Sequence, residues 1–339
     1  MYQKISMRII ILILLCFSFQ LSYAQNYSYA QLDSLGKNVP VENEESIGKL
    51  ANYFQKITNN KNYQSRLVYS WVAHHISYDD DAFNSHVFND PSAEAVFKSR
   101  KAVCAGYSFL FKAICDELNI PCVSIDGFAK GYGFKLGMPV TGVNHAWNAV
   151  QYNDQWHLMD PTWGSGYAEN INGKAKSKSI YNVYWFDVNP KEFLFNHFPD
   201  SSKYQFLPKK VTREQFKKMM YFETSTVFQM GFNVDSILIK SQTDPKFSLP
   251  TVFNMESVSF KINSAPYNKI IKAASTLYFE IEQLSNDTIV LLNNQDLILF
   301  DNKSGNTFSK TMEQLKLGEL HIGILRGPEV EIILSYKVI

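Results

Sequence analysis

Cysteine is scarce in this 339-residue chain, which has four: Cys16, Cys104, Cys115 and Cys122. So few exclude a scaffold framed by disulfides. An excess of charge is missing too, since 33 Lys plus Arg stand against 32 Asp plus Glu, a net +1. With no basic cluster, nucleic acid is not an expected partner. The sequence has no HExxH, no paired CxxC, no GxxxxGK[ST] and no GxSxG. These absences leave no zinc site, phosphate-binding loop or serine-hydrolase elbow to expect, and no cofactor. There is no internal repeat. Beyond the first 24 residues, no stretch is long and apolar enough to span a bilayer.

Those 24 residues read as a secretory signal peptide. Lys4 and Arg8 precede the apolar run 9–17, and Ser22-Tyr23-Ala24 is a small-x-small cleavage site before Gln25. The expectation is an exported protein (periplasmic, cell-surface or secreted) with no membrane span once the signal is removed. Cys16 leaves with the signal, so three cysteines remain and at least one thiol is free. Cys104 and Cys115 are expected on one helix, where eleven residues separate them by roughly 16 Å. That is too far for a disulfide. Cys115 and Cys122 either pair across a turn at 119–121 or are both small buried hydrophobes.

What is present is apolar and aromatic: 45% hydrophobic residues, with 25 Phe, 19 Tyr and 5 Trp. This suffices for an ordinary core, and at roughly 100–200 residues per domain the length suggests two domains. Residues 25–60 are polar with helical character. Leu67, Val68, Trp71, Val72 and His75 fall at helical spacing and predict a helix over 64–76, with Trp71 in the core, His75 buried and His74 solvated. Asp90-Pro91 predicts a short helix to Lys98. A helix over 104–118 follows, its apolar face made by Tyr107, Leu110, Phe111, Ile114 and Leu118. Strands are expected at 122–129, 144–152 and 155–160, the last two forming a hairpin around Asn153-Asp154. Between them, 130–142 holds four glycines and a proline and reads as a mobile loop beside His145, a gate or an uninvolved surface loop. Residues 167–179 read as an exposed excursion. Thr212 and Gln215 form a capping-box pair opening a helix through Met220. After about residue 230, seven short runs at 236–240, 257–262, 274–283, 288–292, 297–300, 319–325 and 330–338 predict an antiparallel β-sandwich of immunoglobulin-like type.

Three residues carry chemistry. Cys104 opens a helix, where the dipole and unpaired N–H groups favour a thiolate and can hold an oxyanion. The hairpin register pairs residues whose numbers sum to 307. His145 then lies opposite Thr162, and Asp160 lies opposite Trp147 on the face that carries His145, roughly 7–8 Å away between backbones. The carboxylate can orient the imidazole, and the imidazole can deprotonate Cys104. A slip of one residue would undo this. His157 falls on the other face and reads as structural, as does His197.

The strings Cys104-Ala105-Gly106-Tyr107, Asn144-His145-Ala146-Trp147-Asn148 and Asp160-Pro161-Thr162-Trp163 resemble the transglutaminase-like superfamily, in particular its kyphoscoliosis-peptidase type. The helix from Arg66 into Ser77-Tyr78-Asp79, and the segment 193–199 with His197-Phe198-Pro199, are similar to the same family. The resemblance covers about 61–207. It implies an α+β, papain-like fold with Cys104 as nucleophile, His145 as general base and acid, and Asp160 as orienter. Ala105 departs from the family, which often has an acidic residue there. The strings do not fix an oxyanion side chain. Tyr78 is the candidate, and Trp147 and Trp163 are candidate cleft walls.

The expected organisation is signal peptide 1–24, helical lead-in 25–60, transglutaminase-like domain 61–207, helical linker 208–230 and β-sandwich 231–339. The expected activity is that of a peptidase or amidase on a protein or peptide substrate, with a crosslinking transglutaminase or a non-catalytic binding module as alternatives. The β-sandwich is a candidate surface for a cell-surface partner.

Overall fold

The computed structural model describes residues 26–244, 246–253, 260–284 and 287–339. The expected signal peptide, and the first three residues of the run expected at 257–262, lie outside the described residues. No helix among the described residues is long and apolar enough to cross a membrane.

The first half is a helical layer on a sheet. Helices α1 (Tyr29–Lys37), α2 (Ile47–Ile57) and α3 (Lys61–His75) each begin at a side-chain cap, from Ser28, Ser46 and Asn60. Each cap satisfies an N–H that the helix itself cannot. On α2, Ile47, Leu50, Ala51 and Phe54 recur at helical spacing and are buried. Each large apolar side chain of this kind contributes about 1.5–3 kcal/mol. Strand β1 (Ser77–Tyr78), α4 (Asp80–Ser85), α5 (Ala93–Ser99) and β2 (Lys101–Ala102) lead into α6 (Cys104–Glu117). The cap of α5 is Ser92, whose hydroxyl accepts from Ala95 N–H, so this helix starts two residues after the proline expected to open it. The five expected core residues, four on α6 and Leu118 at its C-cap, are at most 1% exposed.

The sheet is β3 (Cys122–Ala129), β4 (His145–Tyr152), β5 (Gln155–Met159), β8 (Phe186–Val188) and β9 (His197–Pro199), in the order β8-β5-β4-β3-β9. Between β5 and β8 come the short α7 (Pro161–Gly164) and a separate hairpin, β6 (Gly166–Ile171) and β7 (Lys174–Ser179); α8 (Pro190–Phe193) precedes β9. Residues 167–179 are thus a paired hairpin rather than an irregular excursion. Its turn is Asn172-Gly173, both with positive φ, the pair favoured in two-residue hairpin turns.

One ion pair ties the first helix to the rest. Arg66 is 3% exposed, and its Nε and Nη2 each donate to Asp33 at 2.6 Å. Tyr181 Oη donates to the same carboxylate at 2.7 Å, and the guanidinium lies 4.7 Å from the Phe186 ring centre. Removing one partner of such a pair strands the other. Arg66→Ala is therefore expected to cost about 3–5 kcal/mol, read as a lower urea midpoint.

Downstream, α9 (Arg213–Lys218) opens with the expected capping box of Thr212 and Gln215 but ends two residues short of Met220; α10 (Thr224–Gln229) follows. These helices are packed against the structure before them. Phe216 is fully buried between Phe128 and Phe198. Lys130 is fully buried too, its Nζ donating to the carbonyls of Phe216 at 2.7 Å and Met219 at 3.0 Å and lying 4.2 Å from the Phe216 ring centre. Burial pulls its pKa down to about 8.

Residues 236–240, expected as a strand, belong to helix α11 (Val234–Thr243). Asn233 caps it by accepting from Ser236 N–H, and Val234 and Ile237, one helical turn apart, are its buried residues. The rest is β: β10 (Thr251–Val252), β11 (Phe260–Ser264), β12 (Ile270–Ile271), β13 (Leu277–Gln283), β14 (Thr288–Asn293), β15 (Asp296–Leu299), β16 (Asp301–Ser304), β17 (Thr307–Met312), β18 (Gly318–Arg326) and β19 (Glu329–Val338). One sheet runs β10-β19-β18-β14-β15, and the other β11-β13-β17-β16. All their pairings are antiparallel except that β12 runs parallel to β19. Alternate residues of both sheets, Phe279 and Ile281 with Ile322 and Leu334 among them, fill one core.

Candidate active site

The site is assembled where α6 meets β4. Tyr78 on β1 is registered against Ala102 on β2, two residues before Cys104, so the β1–β2 bridge carries Tyr78 to the start of α6. At that start the N–H groups of Cys104 and Ala105 lack intrahelical acceptors. The body of α6 is held to β4 by Ser108, whose hydroxyl donates to the Trp147 carbonyl at 3.0 Å, and by Asn148 Nδ2, which donates to the Ser108 carbonyl at 3.0 Å.

The β4–β5 ladder pairs Asn148 with Met159 through Tyr152 with Gln155. Its turn residues Asn153 and Asp154 have φ of 50° and 60°. This is a two-residue turn in the register expected from the sequence. The ladder stops at Met159 because Asp160 leaves it to cap α7, its Oδ1 accepting from Trp163 N–H at 2.9 Å. The other oxygen, Oδ2, accepts from His145 Nε2 at 2.7 Å and from His197 Nε2 at 3.0 Å. His145 Nε2 is thus spent on Asp160, and Nδ1 is the nitrogen left to act on the Cys104 thiol, whose ionisation this imidazole favours.

The electrostatics follow from burial and charge. Burial opposes ionisation of Cys104. The hydrogen bond to His145, the charge of that ring and the Ala146 N–H together outweigh it and carry the thiol below its ordinary value. Burial likewise penalises the His145 imidazolium, yet the Asp160 carboxylate and Cys104 push it up to about 10. Asp160 is fully buried, and its two histidine partners hold it well below the usual carboxylate range despite that burial. The arrangement favours a thiolate–imidazolium pair over a neutral thiol and imidazole.

Tyr78 is half-buried between Phe83 and Tyr107. Burial, then the charge of Cys104, raise its phenol far above the ordinary value, so it stays protonated. Trp163 is half-buried, 5.5 Å from the His145 ring, and Gly131 of the glycine-rich loop comes close enough that a Cβ there would lie 3.0 Å from its indole. Trp147 was expected as a cleft wall. It is fully buried beneath His145, 6.0 Å between ring centres, and is floor rather than wall.

Cys104, Cys115 and Cys122 are all free thiols. Cys115 and Cys122 are buried and neighbour one another. His74, expected in solvent, is half-buried and stacks on Tyr181 at 4.3 Å. His157 lies away from the site, stacked on Tyr152 and bonded to Asp187 at 2.7 Å. The ligand atoms of His145, Asp160 and His197 lie within 4.8 Å of one another, near enough to surround a cation. Both imidazoles, however, direct Nε2 at Asp160 Oδ2 at hydrogen-bond distance, which describes N–H donors around a carboxylate. His197, structural on the sequence reading, is a direct partner of Asp160 in the site.

Residues 48–161 match the family model of the transglutaminase-like superfamily. This stretch is a transglutaminase-like domain. The chain is 34% identical over 160 residues to kyphoscoliosis peptidase of Mus musculus, a match that covers 47% of this chain and 24% of that protein. It is 22% identical over 225 residues to Hillarin of Drosophila melanogaster, covering 62% of this chain and 27% of the relative. The chain thus spans about a quarter of the length of these relatives. Among solved structures, a Cytophaga hutchinsonii protein proposed to be a cysteine protease is 26% identical, with a TM-score of 0.26 over 41% of this chain and 40% of that one. In the transglutaminase-like domain, Cys104, His145 and Asp160 all fall within the matched residues, and His197 falls beyond them.

Proposed function

We propose that the protein is an exported cysteine acyl-transfer enzyme, a peptidase or amidase acting on a protein or peptide substrate. The observation that carries this reading is the buried His145–Asp160 hydrogen bond of 2.7 Å beside Cys104, whose thiol this imidazole lowers while the imidazole itself is raised. The Cys104 thiolate attacks the substrate carbonyl carbon, forming a C–S bond and an oxyanion. The free N–H groups at the start of α6 and the Tyr78 phenol stabilise that oxygen. The His145 imidazolium gives its proton to the leaving nitrogen, the C–N bond breaks and a thioester remains. Water, deprotonated by His145, attacks the thioester and releases a carboxylic acid and the free thiol. An amine in place of water would make the same site a transglutaminase. The chemistry needs no cofactor. The C-terminal unit we read as an immunoglobulin-like sandwich that docks a cell-surface partner.

The test uses the purified protein and its Cys104→Ala variant with casein and a tagged amine, followed by mass spectrometry. Peptide release absent from the variant supports the hydrolase, and amine incorporation absent from the variant replaces it with a transferase. Products equal in both proteins remove Cys104 from the chemistry; absence from both leaves a narrow substrate specificity or a binding module, and ordinary iodoacetamide labelling of Cys104 then overturns the enzyme reading. Tyr78→Phe is expected to lower kcat about 100-fold with KM nearly unchanged, the behaviour of a donor used only in the transition state.

A further inference from the structure

We infer that His197 is a positioning residue for Asp160: a neutral second imidazole whose Nε2–H fixes the carboxylate that orients His145. The inference rests on the enzymatic reading above and deepens it.

The sheet brings the two histidines together over small residues. Gly127 on β3 is registered against both His145 on β4 and Pro199 on β9, and Ala129 against His197. Residues directly opposite share a face, so His145 and His197 stand on the same face with only Gly127 and Ala129 between them. The room is tight, since a Cβ at Gly127 would lie 2.4 Å from both the Trp147 ring and the Phe198 carbonyl. Asp160 enters this space from the end of β5. Its Oδ2 is shared by the two Nε2 atoms, and its Oδ1 is held by Trp163 N–H.

The His197 ring has little freedom. It is fully buried, stacks on Phe193 at 3.9 Å and 19°, and lies 4.4 Å from Trp163 and 5.1 Å from Trp147. Among the described residues, the titratable groups acting on it are Asp160 and His145. Burial, opposed by Asp160, pulls its pKa down to about 4. At neutral pH His197 therefore donates a hydrogen bond without adding a positive charge. A charged donor here would compete with His145 for the field of the one carboxylate, whereas a neutral one pins the carboxylate and leaves that field to the His145 imidazolium. Three donors on one buried carboxylate also disfavour its protonation.

The test reads the thiolate directly and needs no substrate. Iodoacetamide labelling of Cys104 is followed by peptide mass spectrometry from pH 5 to 9 in the full chain, His197→Gln and His197→Phe. Glutamine places an amide N–H near the position of Nε2; phenylalanine keeps the ring and loses the donor. The expected result is labelling at pH 6 about tenfold slower in H197F than in the unaltered protein and within about twofold of it in H197Q. Thermal melting checks folding. Where H197F does not fold, H197N, an amide too short to reach Asp160, takes its place. Unchanged labelling in both variants, or an equal loss in both, overturns the inference. An unaltered protein whose Cys104 labels like an ordinary thiol overturns the enzymatic reading itself.

Discussion

Cys104→Ala will lower turnover on the order of a million-fold, where nucleophile and base act as one unit, leaving only what binding and the oxyanion donors supply. The same change will abolish rapid labelling by iodoacetamide, because Cys115 and Cys122 are buried and unreactive. In the unaltered protein the reactive pair exists only between two titrations. On the acid side the limit is the thiol, which lies below its ordinary value, so labelling must persist at pH values where a free cysteine is silent. On the alkaline side the limit is His145, whose imidazolium is held up to about 10. Above that the thiolate survives, but the acid that protonates the leaving amine is gone. Turnover should therefore fall on the alkaline side while alkylation does not. The two groups titrate as a pair, and the profile reports the pair. Stopped-flow labelling beside an amide-hydrolysis assay separates the two limbs. An alkylation profile matching that of glutathione would refute the assignment.

The second large effect is at Asp160. Asp160→Asn is expected to lower kcat about 10⁴-fold, because the imidazole loses both its orientation and the anion that stabilises its charge. The geometry says why an isosteric amide is so poor a substitute. Three donors converge on the carboxylate, from His145, His197 and the Trp163 backbone. An amide offers one accepting oxygen and adds an NH₂, so at least one donor is left facing another donor. Stability should respond as well. The Asp160 carboxyl is held below its usual range, so its contribution is present above about pH 4 and is lost as pH falls towards its folded value. His145 is held up at about 10, so its contribution is present below about pH 6.5 and lost as pH rises through 10. Urea unfolding across pH in the asparagine variant should show both dependences weakened. Retention of kcat within tenfold would remove Asp160 from the mechanism.

Much of this site was legible in the chain because its determinants are local. A helix that begins at Cys104 announces itself by its apolar spacing. A turn of Asn153-Asp154, two residues that tolerate positive φ, sets the register that returns Asp160 towards His145. What was misread had a local sign that a competing pattern outweighed. Ile237, Leu238 and Ile239 look like a strand, but Asn233 caps a helix there. Asn172-Gly173 is a hairpin signal whose flanking strands are too polar to look like strands. His197 is different in kind. It is 37 residues from Asp160, and no periodicity links them; only the pairing of β9 with β3 makes them neighbours.

The buried Lys130 has a bearing on where this protein can be divided. Its ammonium sits at the root of the glycine-rich loop, and the carbonyls it binds, Phe216 and Met219, belong to the end of α9. A chain ended at residue 207, the edge that the resemblance suggests, would keep the amine and discard both acceptors along with the ring beneath it. The loop beside Trp163 would then lose its anchor, and the faces of Phe128 and Phe198 that Phe216 covers would be bared to water. Truncation after residue 207 is therefore expected to lower the urea midpoint of the first half relative to a chain that runs through Met219.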